Sequence, residues 1–214
     1  IALANPSAAT AAYVQLRFQR DDGAVVQTMR QVPARQRVTV DASSMPDLQG
    51  HAFATVVESD VVVGVDRLVH WDQQRGSHAE HGVPAPSTEW YFAEGATHAG
   101  FQLFYLLQNP SDLTATVTLT YLREAPLAPL VRTHIVPPRQ RYTVYVNDDE
   151  RGPQTPAGGG PSSMVVSSNV PVVAERAMYR SLPSAYDSGH DSAGAPALQP
   201  SWFFAEGSTG PFFE

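Results

Sequence analysis

The chain has 214 residues, of which 43% are apolar and only 16% charged, and its formal net charge is −7. This is a globular composition, with room for one large domain or two of about 100 residues. The acidic balance excludes the basic surface that nucleic acids and anionic lipids require. The absence of cysteine excludes disulfides, thiolate metal sites and a cysteine nucleophile.

Short apolar runs bounded by glycine and proline predict strands along the whole chain. The stretch ATVTLTYLRE, residues 115–124, alternates Val, Leu and Tyr with Thr, as a half-buried strand does. No segment of ten or more residues has a helical period, and no apolar run reaches the ~20 residues of a membrane span. In chain order the predicted strands are AYVQLRFQ, VVQTMRQVP, RVTVDA, AFATVVES, VVVGVDRLVHW, WYFAEG, FQLFYLLQN, ATVTLTYLRE, LVRTHIV, RYTVYV, SMVVSS and VPVVAERAMYR.

The chain also repeats its own sequence. NPSAAT at 5–10 matches NPSDLT at 109–114, and VPARQRVTV at 32–40 matches VPPRQRYTV at 136–144. The word WYFAEG at 90–95 returns as WFFAEG at 202–207. The offset grows along the chain, which places insertions in the second copy at 151–163 and 181–189, and we expect both insertions to be loops.

The repeats and the strand pattern together predict an all-β fold of two tandem immunoglobulin-like β-sandwich modules, each with about seven mainly antiparallel strands. We expect residues 1–88 to form the first module, with its N-terminal strands missing or supplied by another segment. Residues 89–200 form the second module in this division. Residues 201–214 are then either the start of a third repeat or the closing strand of the second module.

Five motifs follow one another in the second copy. They are Trp90–Thr97, Phe101–Pro110, Val136–Val144, Glu175–Tyr179 and Gly189–Ser192. In this order they resemble the WYFAEG-type tandem β-sandwich repeats of large secreted bacterial cell-surface proteins, which are mostly uncharacterised. The first copy departs from the pattern at Asp66 and at SHAEHG. The resemblance implies an extracellular, cell-surface location and implies no enzymatic activity.

Charged residues recur at matching places in the two copies. A carboxylate within an apolar run is costly unless it is paired, and a planar guanidinium suits a carboxylate partner. We therefore predict structural ion pairs at these positions, while a ligand site or a catalytic carboxylate pair is the alternative. The candidates are Glu94, Glu206, Arg67, Arg176, Asp66 and Glu175; His78 and His190 also recur.

Two acidic stretches could bind a metal. In DSGHDS, Asp187, His190 and Asp191 offer oxygen and imidazole ligands within five residues, although the stretch favours a turn held by Asp and His side chains over a metal site. The stretch NDDERG, starting at Asn147, suggests Ca²⁺ by its acidity. This is its only resemblance to a calcium loop, since it lacks the alternating ligand spacing of an EF-hand. We expect no other cofactor.

Trp71 ends a predicted strand among polar residues, and Arg180 rather than an aromatic residue occupies the matching place in the second copy. It is therefore the best candidate for an exposed ring that stacks on a sugar. The chain has no G-x-S-x-G, H-E-x-x-H or P-loop motif. We accordingly predict no catalytic residue and no enzyme.

The expected function is that of a non-enzymatic structural or adhesive repeat on a bacterial surface, acting as stalk, fibre or binding scaffold. Its expected partners are neighbouring repeats of the same chain, like chains in a fibre, or a surface glycan or protein. The alternative is a carbohydrate-binding accessory module of a secreted hydrolase. We expect no nucleic-acid partner and no membrane insertion of this segment.

Overall fold

β-Strands dominate the computed structural model, which describes residues 1–73, 76–149, 160–182, 185–205, 207 and 209. All strand pairs in this part of the chain are antiparallel, so the prediction of an all-β, antiparallel fold is confirmed. The strands are β1 (Ala2–Asn5), β2 (Ala12–Arg20), β3 (Val25–Val32), β4 (Gln36–Thr39), β5 (Phe53–Ser59), β6 (Gly64–Trp71), β7 (Gly76–His81), β8 (Ser87–Phe92), β9 (Phe101–Asn109), β10 (Ala115–Arg123), β11 (Leu130–Val136), β12 (Gln140–Tyr145), β13 (Ser162–Leu182) and β14 (Ala185–Ala193).

Helical structure in the described residues is limited to short turns. They are one α-helical turn, α1 (Val146–Asp149), and two 3₁₀ turns, Ala42–Ser44 and Pro46–Leu48. No helix in this part of the chain is long and apolar enough to span a membrane.

Strands β1–β7, which we call the first module, enclose one apolar core between two sheets of order β4-β1-β6-β7 and β3-β2-β5. The sequence of β2 explains its place in this core. Val14, Leu16 and Phe18 alternate along the strand and are fully buried, while the intervening Gln15 and Arg17 lie on the other face.

Strands β8–β14, the second module, enclose a separate core in the same way. The 21-residue strand β13 belongs to both of its sheets: its first part pairs with β10 and β8, and its second part pairs with β9 and β14. Pro171 lies between these two parts, where its missing N–H interrupts no pairing.

The two modules share one strand order. In the first module Val65 of β6 lies opposite Leu3 of β1, and in the second Ala174 of β13 lies opposite Leu107 of β9. The order β4-β1-β6-β7 thus corresponds to β12-β9-β13-β14, and β3-β2-β5 corresponds to β11-β10-β13. The sequence repeat is therefore also a repeat of sheet topology.

The repeated Asn-Pro-Ser word forms the same clamp in each module. Asn109 donates from Nδ2 to the main-chain oxygens of Leu113 (2.7 Å) and Val136 (3.0 Å), and its Oδ1 accepts from the Ser111 amide. Asn5 makes the equivalent bonds to Thr10, Val32 and Ser7. Both asparagines are buried, so Asn5 fastens a turn to the end of β3 and Asn109 fastens one to the end of β11.

Three parts of the chain bear on the expected boundaries. The division between residues 88 and 89 falls inside β8, which pairs with β13. The stretch 181–189, expected to be a loop, instead contributes to the ends of β13 and β14, because their backbone pairing continues past a bulge at Arg180. Within 201–214, none of the described residues lies in a strand, and most of 151–163 lies outside the described residues.

Candidate functional site

The recurring charged residues meet at the junction between the two modules. Strand alternation places Arg67, Val69 and Trp71 of β6 on one face, and this face meets the outer face of β13, where Glu175 and Tyr179 lie. β7 lies beside β14 at the same junction, where the Ala193 amide donates to Glu80 Oε1 over 3.1 Å. The first module therefore contributes β6 and β7 to the junction, and the second module contributes β13 and β14.

A single guanidinium of the first module binds two carboxylates of the second. Arg67 Nη1 lies 2.8 Å from Glu175 Oε2, and Arg67 Nη2 donates to Asp191 Oδ2. The Asp191 side chain is only 2% exposed and that of Glu175 18%. We call these three residues and Glu80 the junction cluster.

Burial dominates the electrostatics of this cluster. It raises the pKa of Asp191 to about 7, against an attraction to Arg67 that lowers it, and Glu175 and Glu80 raise it further by repulsion. Burial also raises the pKa of Glu80. Burial alone would lower the pKa of Arg67, but the charges of Glu175 and Asp191 more than offset it and raise that pKa. The cluster has three carboxylates but only one cation, so it favours keeping a proton on one of the carboxylates near neutral pH.

Aromatic side chains continue the junction beside the cluster. The ring of Trp71 meets that of Tyr179 edge-on at 5.3 Å, and His78 Nε2 lies 3.0 Å from the Tyr179 hydroxyl oxygen. Burial, followed by repulsion from Arg67, lowers the pKa of His78 to about 4. The imidazole is therefore neutral at pH 7, which suits its place between two rings.

A cleft of about 350 Å³ opens next to these rings. Trp71 and Tyr179 line it together with Phe104, Leu106 and Arg141. Trp71, expected to be an exposed ring, is thus partly buried, with part of its surface on this cleft. The lining combines aromatic rings with one cation, which is the chemistry of a small polar ligand with an apolar face.

The matching arginine of the second module has different partners. Arg176 points into its own module, where Nη1 lies 2.9 Å from Glu94 Oε2 and also donates to the Glu94 main-chain oxygen. Its Nη2 donates to Ser192 Oγ over 3.1 Å. Arg176 therefore fastens the turn after β8 inside the second module, whereas Arg67 joins the two modules.

The remaining ion-pair candidates lie elsewhere. Asp66 pairs with His81 across 2.8 Å on an exposed surface, where such a pair contributes little to stability. Glu206 lies outside the described residues.

The three metal-ligand candidates of DSGHDS are not brought together by the part of the chain that can be described. His190 and Asp191 are neighbours on β14 and so face opposite sides: His190 lies against Arg176 and Asp191 against Arg67. The side chain of Asp187 lies outside the described residues.

In the calcium candidate NDDERG, Asn147 acts as a clamp. Its Oδ1 accepts from the Leu103 amide over 2.9 Å and its Nδ2 donates to the Phe101 oxygen over 2.9 Å. Residues 150–152 of this stretch lie outside the described residues.

One polar group was missed by the sequence reasoning. Asp21, Asp22 and His51 each place a potential ligand atom within 4.8 Å of the others. Arg20 already occupies this group, since its Nε lies 3.0 Å from Asp22 Oδ1 and its Nη2 lies 2.6 Å from His51 Nε2. The second copy reads Arg-Glu-Ala-Pro at the place of Arg-Asp-Asp-Gly, so the repeat gave no signal for this group.

No protein-family model matches the chain. No curated protein matches it either. Among solved structures, it is similar to the crystal structure of Thermotoga maritima 1070, with 22% identity and a TM-score of 0.43 over 51% of this chain and 94% of that chain. It is also similar to the Anabaena sensory rhodopsin transducer, with 25% identity and a TM-score of 0.37 over 44% of this chain and 83% of that chain.

Proposed function

We propose that this chain is a non-enzymatic structural repeat unit of an extracellular bacterial surface protein, in which β-sandwich modules form a stalk, fibre or binding scaffold. The observation that carries the proposal is the junction cluster. Arg67 of the first module is bound by Glu175 and Asp191 of the second, so a recurring charge is used for cohesion between modules.

The junction suits a load-transmitting connection between modules. Its ion pairs are partly desolvated, and edge-on aromatic contacts such as Trp71–Tyr179 lie beside them. Charged hydrogen bonds of this kind favour a single orientation of the two modules, because in any other orientation the arginine and the carboxylates would lose their partners. Modules joined in this way extend a chain in a fixed direction, and any weak binding surface on them is multiplied by repetition.

The same cluster is less suited to catalysis. A carboxyl group of raised pKa beside ionised carboxylates is the arrangement of an acid–base pair. Here, however, Arg67 bonds both to Asp191 and to Glu175, and the Asp191 side chain is 2% exposed. A substrate would have to displace the guanidinium to reach either group.

The rigidity of the junction is tested by distance measurements between the modules. The chain has no cysteine, so Met29→Cys on β3 and Val131→Cys on β11, both exposed, accept one spin label each. We expect a single narrow distance distribution in the labelled chain and a broad one when Arg67→Met is added. A broad distribution in the labelled chain itself would contradict a stalk built from this junction.

The surface location needs a separate measurement. An antibody raised against this chain is expected to label intact cells of the bacterium that carries it, and external protease is expected to remove that signal. Labelling that requires lysis of the cells would contradict the extracellular assignment.

The second candidate is a carbohydrate-binding module of a secreted hydrolase. The cleft lined by Trp71, Phe104, Tyr179 and Arg141 favours it, because sugars stack on aromatic rings and hydrogen-bond to cations. Titration of tryptophan fluorescence with soluble polysaccharides tests this candidate, using Trp202→Phe to remove the signal of an exposed ring. A saturable change that is lost in Trp71→Ala supports it, and the absence of any change contradicts it.

A further inference from the structure

Arg141 of β12 is a partly buried cation without a partner. Among the described residues, its guanidinium forms no hydrogen bond and no ion pair. Two carboxylates attract it, but Glu175 is bound by Arg67 at 2.8 Å. The other carboxylate, that of Asp21, lies 3.2 Å from the His51 ring. Burial lowers the pKa of Arg141, because these two attractions do not offset the loss of water around the guanidinium.

This cation faces the cleft between the modules. Arg141 and Thr143 lie two residues apart on β12, and both line the cleft of about 350 Å³. Arg141 lies opposite Gln108 of β9, whose Nε2 donates to Gln19 Oε1 of the first module over 2.8 Å. The neighbouring amide is therefore already engaged. Among the described residues that line the cleft, Arg141 supplies the only charge.

Three aromatic rings form a fixed wall of the same cleft. The Tyr179 ring meets Trp71 edge-on at 5.3 Å and Phe104 at 5.9 Å, and we call these three residues the aromatic row. Two glycines allow this packing. A Cβ atom at Gly76 would collide with the Trp71 ring, and one at Gly189 would lie 2.5 Å from the Tyr179 ring. The rings thus rest on backbone and keep their places without a ligand, which lowers the entropic cost of binding one.

The lining sets three requirements for a ligand. A planar guanidinium without a partner selects a carboxylate, which it can bind through two parallel hydrogen bonds. The aromatic row selects a ligand with an apolar face. Thr143 is exposed at the cleft, so the rest of the ligand stays in contact with water. A sugar ring that carries a carboxylate meets all three requirements, whereas a flat aromatic acid would expose its second apolar face.

We propose that this cleft binds a carboxylated sugar residue, with Arg141 pairing with the carboxylate and the aromatic row stacking on the sugar ring. The inference rests on the binding-scaffold role proposed above and names the ligand class of the cleft. Trp71 belongs to the first module and Phe104 to the second, so a bound sugar contacts both modules. Binding therefore stabilises the docked arrangement and raises the Tm of the chain.

Isothermal titration calorimetry of the whole chain with tetragalacturonate and with its methyl ester tests the need for the carboxylate. The two probes share their rings and their free hydroxyl groups and differ in charge. We expect the acid to bind about 10-fold or more tightly than the ester, as a hydrogen-bonded charge pair implies. Oligomers of glucuronate and of sialate are titrated in parallel, since the lining selects the carboxylate rather than the configuration of the ring.

Arg141→Met tests the assigned cation. It breaks no hydrogen bond within the described chain, so its Tm without ligand is expected to match that of the parent. Its affinity for the acid is expected to fall about 10-fold or more, to that of the ester. Arg141→Lys keeps the charge without the planar fork and is expected to retain part of the preference. The matched control is Arg37→Met, because Arg37 holds the same place in the first copy but is exposed and outside the cleft.

Thermal unfolding with the acid gives a second measurement. The acid is expected to raise the Tm of the parent and of Arg37→Met, but not that of Arg141→Met. The proposal is overturned if none of the three acidic oligosaccharides binds, if acid and ester bind equally, or if the two methionine variants lose equally. Benzoate or hexaglutamate binding as tightly as the acidic sugars would also overturn it, by assigning the cleft to a plain carboxylate or an acidic peptide.

These outcomes are separable from those of the proposed function. Equal, saturable binding of acid and ester would leave the carbohydrate-binding candidate standing while this inference fails. Distances between the spin-labelled modules are measured without ligand, so the structural role stands or falls independently of the titrations.

Discussion

Replacing Arg67 by methionine removes the cation that joins the modules while keeping most of the side-chain volume. The change leaves Asp191, 2% exposed, and Glu175, 18% exposed, without their shared partner. Breaking a buried ion pair from one side costs about 3–5 kcal/mol. Because the Arg67 side chain itself is 30% exposed, we expect the lower end, about 3 kcal/mol, in the free energy of unfolding.

Urea and thermal unfolding followed by circular dichroism measure this loss. For a chain of this length, about 3 kcal/mol corresponds to a Tm lower by about 6–12 °C. The matched control is Arg17→Met, which breaks an ion pair whose side chains are 32% and 57% exposed and should cost about 0–1 kcal/mol.

A second substitution checks the mechanism. Most of the loss comes from buried carboxylates without a cation, so Arg67→Met combined with Asp191→Asn is expected to be more stable than Arg67→Met alone. The reasoning is refuted if Arg67→Met costs no more than Arg17→Met, or if the double variant is simply the sum of its parts.

Three further predictions concern the second module and the junction. The pKa of Asp191 is raised to about 7 from 3.8 and that of His78 is lowered to about 4 from 6.5, so the first makes stability fall, and the second makes it rise, as pH increases between about 4 and 6.5. Asp191→Asn removes the fall due to Asp191 and should leave a net rise of less than about 1.4 kcal/mol per pH unit, because the raised pKa of Glu80 opposes it; a stability that still falls with pH in urea titrations would count against this reasoning. Asn109→Ala removes bonds to buried carbonyl groups and should cost about 3 kcal/mol in urea unfolding, with a loss under about 1 kcal/mol contradicting the clamp. Gly194→Ala places a methyl group 2.7 Å from an aromatic ring of β8 and should cost about 1–3 kcal/mol, whereas Gly160→Ala, with open space around it, should cost almost nothing; equal Tm values for the two would argue against this packing.

The strands could be predicted from sequence because alternation is a local property. In β10 every second residue from Ala115 to Tyr121 is fully buried, as the apolar residues in ATVTLTYLR indicate. The same reasoning predicted two separate strands, SMVVSS and VPVVAERAMYR, but β13 runs through both, because the N–H that Pro171 lacks is not needed where the strand changes sheets.

The charged site could be predicted only as a set of residues. The repeat pointed to Arg67 and Arg176 together, but their partners differ, since one arginine lies between modules and the other inside one. The bond from Arg67 to Glu175 spans 108 residues, and no local pattern encodes a contact that depends on how two modules dock. His190 and Asp191 show the opposite case: their divergence follows from strand alternation once DSGHDS is known to be a strand rather than a turn.

The pairing of β8 with β13 has a consequence for how the protein is made. Trp90 and its hydrogen-bond partner Val172 are 82 residues apart, so on the ribosome β8 emerges long before the strand it needs. Contacts of such high sequence separation form slowly, and the aromatic side chains of β8 stay in water meanwhile. The speed of translation through residues 93–172 therefore sets how long β8 waits for its partner strand.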